Sequence, residues 1–278
     1  MSVRQFANSL SIIHRSEHAN RPAAFCRHLY WQARKLGFPR PARLRLSQSL
    51  ITDDEPGGVI SMVNMLGMYD YNNMHLVQRV LAGGGRFADV GANIGAYTLV
   101  ASENPAVAVV SLEPNPAAYS KLRTNVALNG RSNVTPVNMG ASARPGTLWM
   151  TNNGAHPMNR MVGDGDKLDG TIAVEVDTLD SICRRTGGLP SMIKMDVEGH
   201  EPQVLEGAGD CLAGALACIV ENGERDAVTR ILWQHGWRGP FYHRHHQASL
   251  ERKPQSLAED AVFIGPGFEN AVPGVTVE

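Results

Sequence analysis

The stretch FADVGANIGAYT, Phe87 to Thr98, constrains this chain more than any other. A short apolar run ends in an acid, and glycines follow where a helix should begin. That order describes a strand entering a helix through a glycine-rich turn. Such a turn lets backbone N–H groups approach a ligand at the helix N-terminus, and the usual occupant is a nucleotide-type molecule. The motif alone does not say which one.

The chain downstream repeats the same alternation. FADV, AVAVVSLE, NVTPVNMGAS, SMIKMDVEG and LACIVENG read as strands, and helices are expected near Tyr97, from Pro116 to Asn129, after Pro202 and from about Arg225 to His235. Alternation at this pitch predicts parallel strands joined by helical crossovers, an α/β fold. WRGPFYH and AVFIGP read as two further strands, which predicts a final antiparallel hairpin. One interruption, near residues 146–176, holds two strand-like runs around a glycine- and asparagine-rich loop and is expected to be an insertion on the sheet rim.

Residues 1–73 read differently, as an N-terminal extension ahead of a domain spanning 74–278. A helical patch runs from Ala23 to Lys35, and LRLSQSLI and GVISMVN, separated by the turn-rich TDDEPGG, are expected to form a hairpin. HLVQRVL has helical spacing, and AGGG stops it.

Charge excludes little beyond the obvious polyanion binders. The 278 residues carry 26 basic and 27 acidic side chains, a net charge of −1, so the whole chain presents no electrostatic case for nucleic acid. Arg27 to Leu46 does hold a local positive excess with aromatic residues interleaved. It reads as a solvated helix face or as a surface for a membrane or an anionic substrate. Cys26, Cys183, Cys211 and Cys218 lack both CxxC spacing and a dense framework, so they read as reduced thiols. With no signal-peptide pattern and no apolar run long enough for a membrane span, a cytoplasmic location is expected.

A dinucleotide-binding turn wants glycine at its first, third and sixth positions. Here those positions are Gly91, Asn93 and Ala96. An asparagine stands where a pyrophosphate would press closest, which disfavours a nicotinamide cofactor and suits a ligand with one nucleoside and no phosphate. Glu113 ends the next strand, about 20 residues on, where an acid commonly accepts hydrogen bonds from ribose hydroxyls. Pro114 and Asn115 follow, with Pro116 at a first helical position, so Asn115 is an expected N-cap. Asp89 lies at a strand C-terminus, placed to meet a cationic amino group or to brace the turn. S-adenosylmethionine (SAM) offers an ammonium, a sulfonium and a ribose, and fits each of these features.

Taken together, DVGANIGAYT, SLEPNP, KLRTNVALN, VEVDTLDSI, IKMDVEGHEPQVLEGA and IVENG resemble the FkbM family of SAM-dependent methyltransferases over about residues 68–266. The resemblance implies a class I methyltransferase fold, Rossmann-like, with a seven-stranded sheet and a final antiparallel strand. It also implies methylation of a hydroxyl on a sugar, polyketide or other small natural product or glycan precursor. By motif, Asp89, Gly91, Asn93 and Gly95 would shape the cofactor loop, Glu113 would hold the ribose, and Ser142 would line the adenine. The family often has Ser-Asp there, whereas Ala143 follows Ser142. Where the family often has Tyr-Glu, this chain has Asp70.

The chemistry is expected at KMDVEGHE, where Lys194, Asp196, Glu198, His200 and Glu201 crowd within eight residues. Methyl transfer from a sulfonium is an in-line displacement, so the protein must align the acceptor oxygen and remove its proton. Strand alternation would place Lys194, Asp196 and Glu198 on one side. Asp196, Glu198 and His200 are candidate bases, with Asp196 nearest the transferring methyl group. Lys194 is either a partner for these acids or a snorkelling surface residue. Glu221, ending the next strand, and Glu201 are expected at the acceptor pocket. No metal is expected, although Asp196 and Glu221 offer oxygen donors. His243, His245 and His246 read as a polar hairpin tip rather than a zinc site, because alternation splits them between two faces. The competing readings are a nicotinamide-dependent oxidoreductase and a SAM-binding module without catalysis. The acceptor, the oligomeric state and the base are left open by the sequence.

Overall fold

The structure is a computed structural model of the chain, describing residues 13–14, 20–37, 42–53, 58–68, 70–154, 158–162, 169–221, 226–243, 249–252, 260–272 and 274–278. In chain order, an N-terminal layer contains α1 (Arg21–Gly37), β1 (Ala42–Leu46), β2 (Ser49–Asp53) and α2 (Gly58–Leu66). Then come α3 (Tyr71–Val80), β3 (Gly85–Val90), α4 (Ala96–Ala101), β4 (Val107–Leu112), α5 (Pro116–Leu128) and β5 (Val134–Val137). Next are β6 (Gly140–Ala141), β7 (Gly146–Thr151), β8 (Met161–Val162), β9 (Thr171–Asp177) and α6 (Leu179–Arg185). β10 (Met192–Met195), α7 (Glu201–Glu206), α8 (Gly209–Gly214), β11 (Ala217–Val220) and α9 (Asp226–Gln234) lead to β12 (Arg238–His243) and β13 (Ser249–Glu251). β14 (Ala261–Ile264), α10 (Phe268–Ala271) and β15 (Thr276–Val277) close the order.

The main sheet runs β5-β4-β3-β10-β11-β14-β12-β13-β15. β5, β4, β3, β10 and β11 pair in parallel, and β14 is antiparallel to both β11 and β12. This is the class I methyltransferase architecture, a mostly parallel sheet finished by an antiparallel strand. The expected seven strands become nine, because the short β13 and β15 extend the β12 edge. Two-residue β15 carries too little pattern for a period of two to reveal it.

The central strands are apolar runs covered on both faces, as parallel sheets require. Their alternation sorts the core into two layers. Phe87, Val109, Met192, Ile219 and Val262 join α3, α4 and the N-terminal layer. Ala88, Val110, Ile193, Cys218 and Phe263 join the face under α6, α7, α8 and α9. Cys183, Cys211 and Cys218 are buried thiols, and Cys26 is exposed.

The N-terminal hairpin differs from expectation. It closes within LRLSQSLI at Ser47, whose φ is +55°, and pairs Leu44 with Ile51. GVISMVN is not its second arm but helix α2, because Ile60 and Val63 recur at helical spacing and enter the main core beside Leu46 and Ile51. α5 holds the edge of β2: Asn129 and Asn125 accept the Leu50 and Thr52 amides at 2.7 and 2.8 Å. The extension therefore shares its hydrophobic core with the sheet.

Where the insertion was expected, a separate four-stranded sheet forms in the order β6-β9-β7-β8, reaching from Gly140 to Asp177. β7 and β9 pair antiparallel from Gly146↔Val176 to Thr151↔Thr171. Among the described residues no helix is long and apolar enough to cross a membrane.

Candidate active site

The glycine turn links the C-terminal end of β3 to α4, with left-handed backbone at Gly91, Asn93 and Gly95 (φ +81°, +51° and +92°). The two glycines answer to neighbouring protein. A Cβ on Gly91 would overlap the Asp196 carbonyl oxygen, and one on Gly95 would stand 2.6 Å from Leu122 Cδ1. The turn is thus pressed against the β10 loop on one side and α5 on the other. Asparagine tolerates the left-handed region. The Asn93 side chain accepts the Ile94 amide at 2.7 Å, and its own N–H donates to Glu113 at 2.8 Å.

Glu113 is buried just past the end of β4. Its other oxygen accepts the Asn115 amide at 2.9 Å. Burial pushes its carboxyl up to about 7, against the pull of these two amides. Asn115 caps α5 as expected, accepting from the Ala117 and Ala118 amides at 2.9 and 3.1 Å. The cap spends its side-chain oxygen on the helix, and Asn115 does not line the cavity, whereas Pro114 does.

Asp89 and Lys194 are register partners on neighbouring strands. Asp89 is buried, accepts the Thr98 hydroxyl at 2.6 Å, and is raised to about 6 by burial. Lys194 does not snorkel: only 3% of its side chain is exposed. Its ammonium lies 3.2 Å from Asp196, 3.6 Å from Asp260 and 5.3 Å from the Tyr97 ring centre. The Tyr97 hydroxyl donates to Asp70, which also accepts from Asn73 at 3.1 Å. Burial raises Asp70 to about 6, with Asp260 adding to the effect. His243 bonds the Asn73 side-chain oxygen at 2.9 Å and is lowered to about 4 by burial. It therefore belongs to this packed network rather than to a solvated tip. His245 and His246 lie outside the described residues.

β10 ends at Met195, so Asp196 to Gly199 form a loop in which Glu198 is left-handed (φ +52°). The loop, not strand alternation, brings Asp196, Glu198 and Glu221 together, with one carboxylate oxygen of each within 4.8 Å of the others. Burial opposes ionisation of Asp196, but Lys194 and a hydrogen bond from Glu221 hold it below the ordinary carboxylate range. Burial and the Asp196 charge push Glu221 up to about 9, and burial also raises Glu198. The trio therefore retains a proton at neutral pH. These oxygen donors are of the type hard cations take, yet acidic groups gather as often to share protons.

His200 lines the cavity, and its Nε2 lies 3.0 Å from the Ser142 hydroxyl. Ser142 itself is buried and does not line the cavity, whereas Gly140 and Ala141 of the same segment do. Glu201 and Glu221, both expected at the acceptor pocket, do not line this cavity. Glu201 is fully buried, accepts the Gly199 amide at 3.0 Å and supports the loop from within. Glu221 reaches the carboxylate trio but does not line the cavity.

One cavity of about 960 Å³, counting the part open to solvent, joins these groups. Asp89, Gly91, Asn93, Glu113 and Lys194 with Asp196 stand along it, and Glu198 and His200 complete the loop side. Val59, Tyr97, Met150, Asn159 and Met161 also line it, and none was singled out from sequence. Asn159 pins the β7–β8 connection, accepting from the Asn153 amide at 3.0 Å and donating to the Gly154 carbonyl at 2.8 Å. The only sequence signal for this wall was the insertion itself.

The raised carboxyls carry a pH signature. Glu221 has a folded pKa near 9 against an ordinary 4.5, so the folded chain holds a proton that the unfolded chain has released. Stability from this group is full below about 4.5 and is lost as pH rises toward 9. The melting temperature should therefore decline between pH 7 and 9, and Glu221→Gln should flatten that decline. An unchanged slope in the variant would assign the ionisation to another group.

The Methyltransferase FkbM domain model matches residues 89–250, more than half of the chain, and the chain belongs to that family. It is 29% identical over 140 residues to the hexuronic acid methyltransferase AglP of Haloferax volcanii, covering 48% of this chain and 54% of that protein. It is 29% identical over 158 residues to the methyltransferase sdnD of Sordaria araneosa, covering 44% of this chain and 60% of that protein. The chain thus spans little more than half the length of these curated relatives. Among solved structures, a methyltransferase FkbM from Methylobacillus flagellatus KT has 17% identity and a TM-score of 0.43, with 65% of this chain and 43% of that one covered.

Proposed function

We propose that this protein is a SAM-dependent O-methyltransferase acting on a hydroxyl of a small molecule such as a sugar or glycan precursor. The observation that carries the reading is that one continuous cavity joins Glu113 to the Lys194–Asp196 pair. Family membership supports methyl transfer, and the name of the hexuronic acid methyltransferase relative supports a sugar-type acceptor.

The residues fit the cofactor. Glu113, its carboxyl fixed by two backbone amides, would hold the ribose hydroxyls. Gly140, Ala141, Pro114 and Met161 offer a largely apolar slot for adenine, and Asp89 offers a buried carboxylate for an ammonium. When bound, SAM supplies an electrophilic methyl on a sulfonium. Asp196, at the other end of the cavity, accepts the proton of the acceptor hydroxyl. Lys194 keeps Asp196 ionised for that task, and Glu198 and His200 hold the acceptor beside it. No metal is needed to activate the donor.

A thermal-shift titration with SAM, S-adenosylhomocysteine, NADH and NADPH tests the cofactor, since ligands selective for the folded state raise its stability. The two adenosyl compounds should raise the melting temperature, and Glu113→Ala should shrink the shift. Stabilisation by a nicotinamide alone would overturn the proposal.

A further inference from the structure

We infer that the N-terminal layer is a docking surface for an anionic lipid bilayer, through the outward face of α1 and the neighbouring β1–β2 hairpin. Among the described residues α1 packs through one side: Ala24, His28 and Trp31 are buried, and Arg27 and Asn64 tie the helix to α2 through backbone carbonyls at 2.7 and 3.0 Å. The opposite side carries Pro22, Cys26, Leu29, Tyr30 and Ala33, all exposed and spaced at four, three, one and three residues. That spacing is one helical stripe. Leu29 is 45% exposed and Tyr30 67% exposed, so an aliphatic and an aromatic side chain stand side by side in water.

The hairpin repeats the composition. Arg45 and Leu50 are cross-strand partners, so they share a face, and Arg43 lies two residues from Arg45 on the same face. All three are exposed, while Leu46 and Ile51 turn inward. Leu29, Tyr30 and Leu50 are three of the five large exposed hydrophobics among the described residues.

Charge selects the occupant. From Arg21 to Thr52 the sequence has Arg21, Arg27, Arg34, Lys35, Arg40, Arg43 and Arg45 and not one acidic residue, although the chain as a whole has a net charge of −1. A basic helix with an exposed apolar stripe and an amphipathic aromatic lies flat in a bilayer interface, and each cation near the surface adds attraction to anionic headgroups. A protein partner would explain the apolar stripe but not seven cations in a run of 32 residues without an acid before Asp53 closes β2. α2, the helix on which α1 rests, also contributes Val59 to the cavity wall, so docking by this layer would hold the cavity close to the bilayer.

The test is co-sedimentation of the full chain with phosphatidylcholine vesicles and with vesicles containing phosphatidylglycerol, at low and physiological salt. Binding should favour the anionic vesicles by about tenfold or more and weaken with salt. Leu29→Ser with Tyr30→Ser should reduce it several fold without lowering the melting temperature, and Arg43→Gln with Arg45→Gln should reduce its salt dependence. Equal or no binding to the two vesicle types would overturn the inference. Unchanged binding in the Leu29/Tyr30 variant, or preferential capture of the chain by RNA over anionic vesicles, would do the same.

Discussion

Replacing Gly91 with alanine should unfold or disable this protein, at a cost on the order of 3–5 kcal/mol. Two effects add there. The backbone is left-handed (φ +81°), and a Cβ would overlap the Asp196 carbonyl oxygen. Gly170 is the internal control, because it has the same φ and open space around it. Gly170→Ala should cost only about 1 kcal/mol, the price of the dihedral alone. Urea denaturation of both variants separates conformation from contact, and equal losses would sink the account. Any Gly91→Ala protein that does fold should turn over slowly, because relief of the overlap must displace the loop that carries Asp196.

Asp196→Ala should lower turnover by about 10²–10⁴-fold while leaving cofactor binding within a few fold, the range a positioned base supplies. Asp196 is half-exposed in the cavity, and Lys194 holds it ionised well into acid, so a protonated Asp196 should limit the wild-type rate only at the acid extreme. Turnover and SAM affinity would be measured side by side, once an acceptor is found. Full activity in Asp196→Ala together with its loss in His200→Gln would transfer the role of base to His200. A parallel loss of SAM binding would instead make Asp196 a cofactor ligand.

Legibility followed the range of the interaction that placed each residue. Asn115 was readable as a cap, because a cap is decided by the four residues around it, and the Asn115 side chain does accept from α5. The strands of the central sheet were readable, because burial on both faces demands uninterrupted apolar runs. GVISMVN reads as a strand because a short, mostly apolar run fits either period, and the packing of Ile60 and Val63 beside Leu46 and Ile51 decides for the helix. His243 was misread because burial beside Asn73 comes from an element 170 residues away.

The site divides in the same way. The glycine turn and Glu113, with Asn93 donating between them, are determined within one strand–helix–strand unit, and the residues themselves announce it. The sequence by itself therefore determined the α/β alternation, the turn, the carboxylate that faces it and the family. Only the tertiary structure decided that Glu201 turns into the core while Glu198 lines the cavity, because the strand ends at Met195 and the loop beyond it has no strand alternation to follow. It alone decided that Lys194 lies between Asp196 and Asp260, and that α2 and the second sheet complete the wall. The physical reason is that periodicity reports which side of its own element a residue faces. Which groups then meet depends on sheet register and on where each loop leaves its strand, and those are set by packing between segments far apart in the chain.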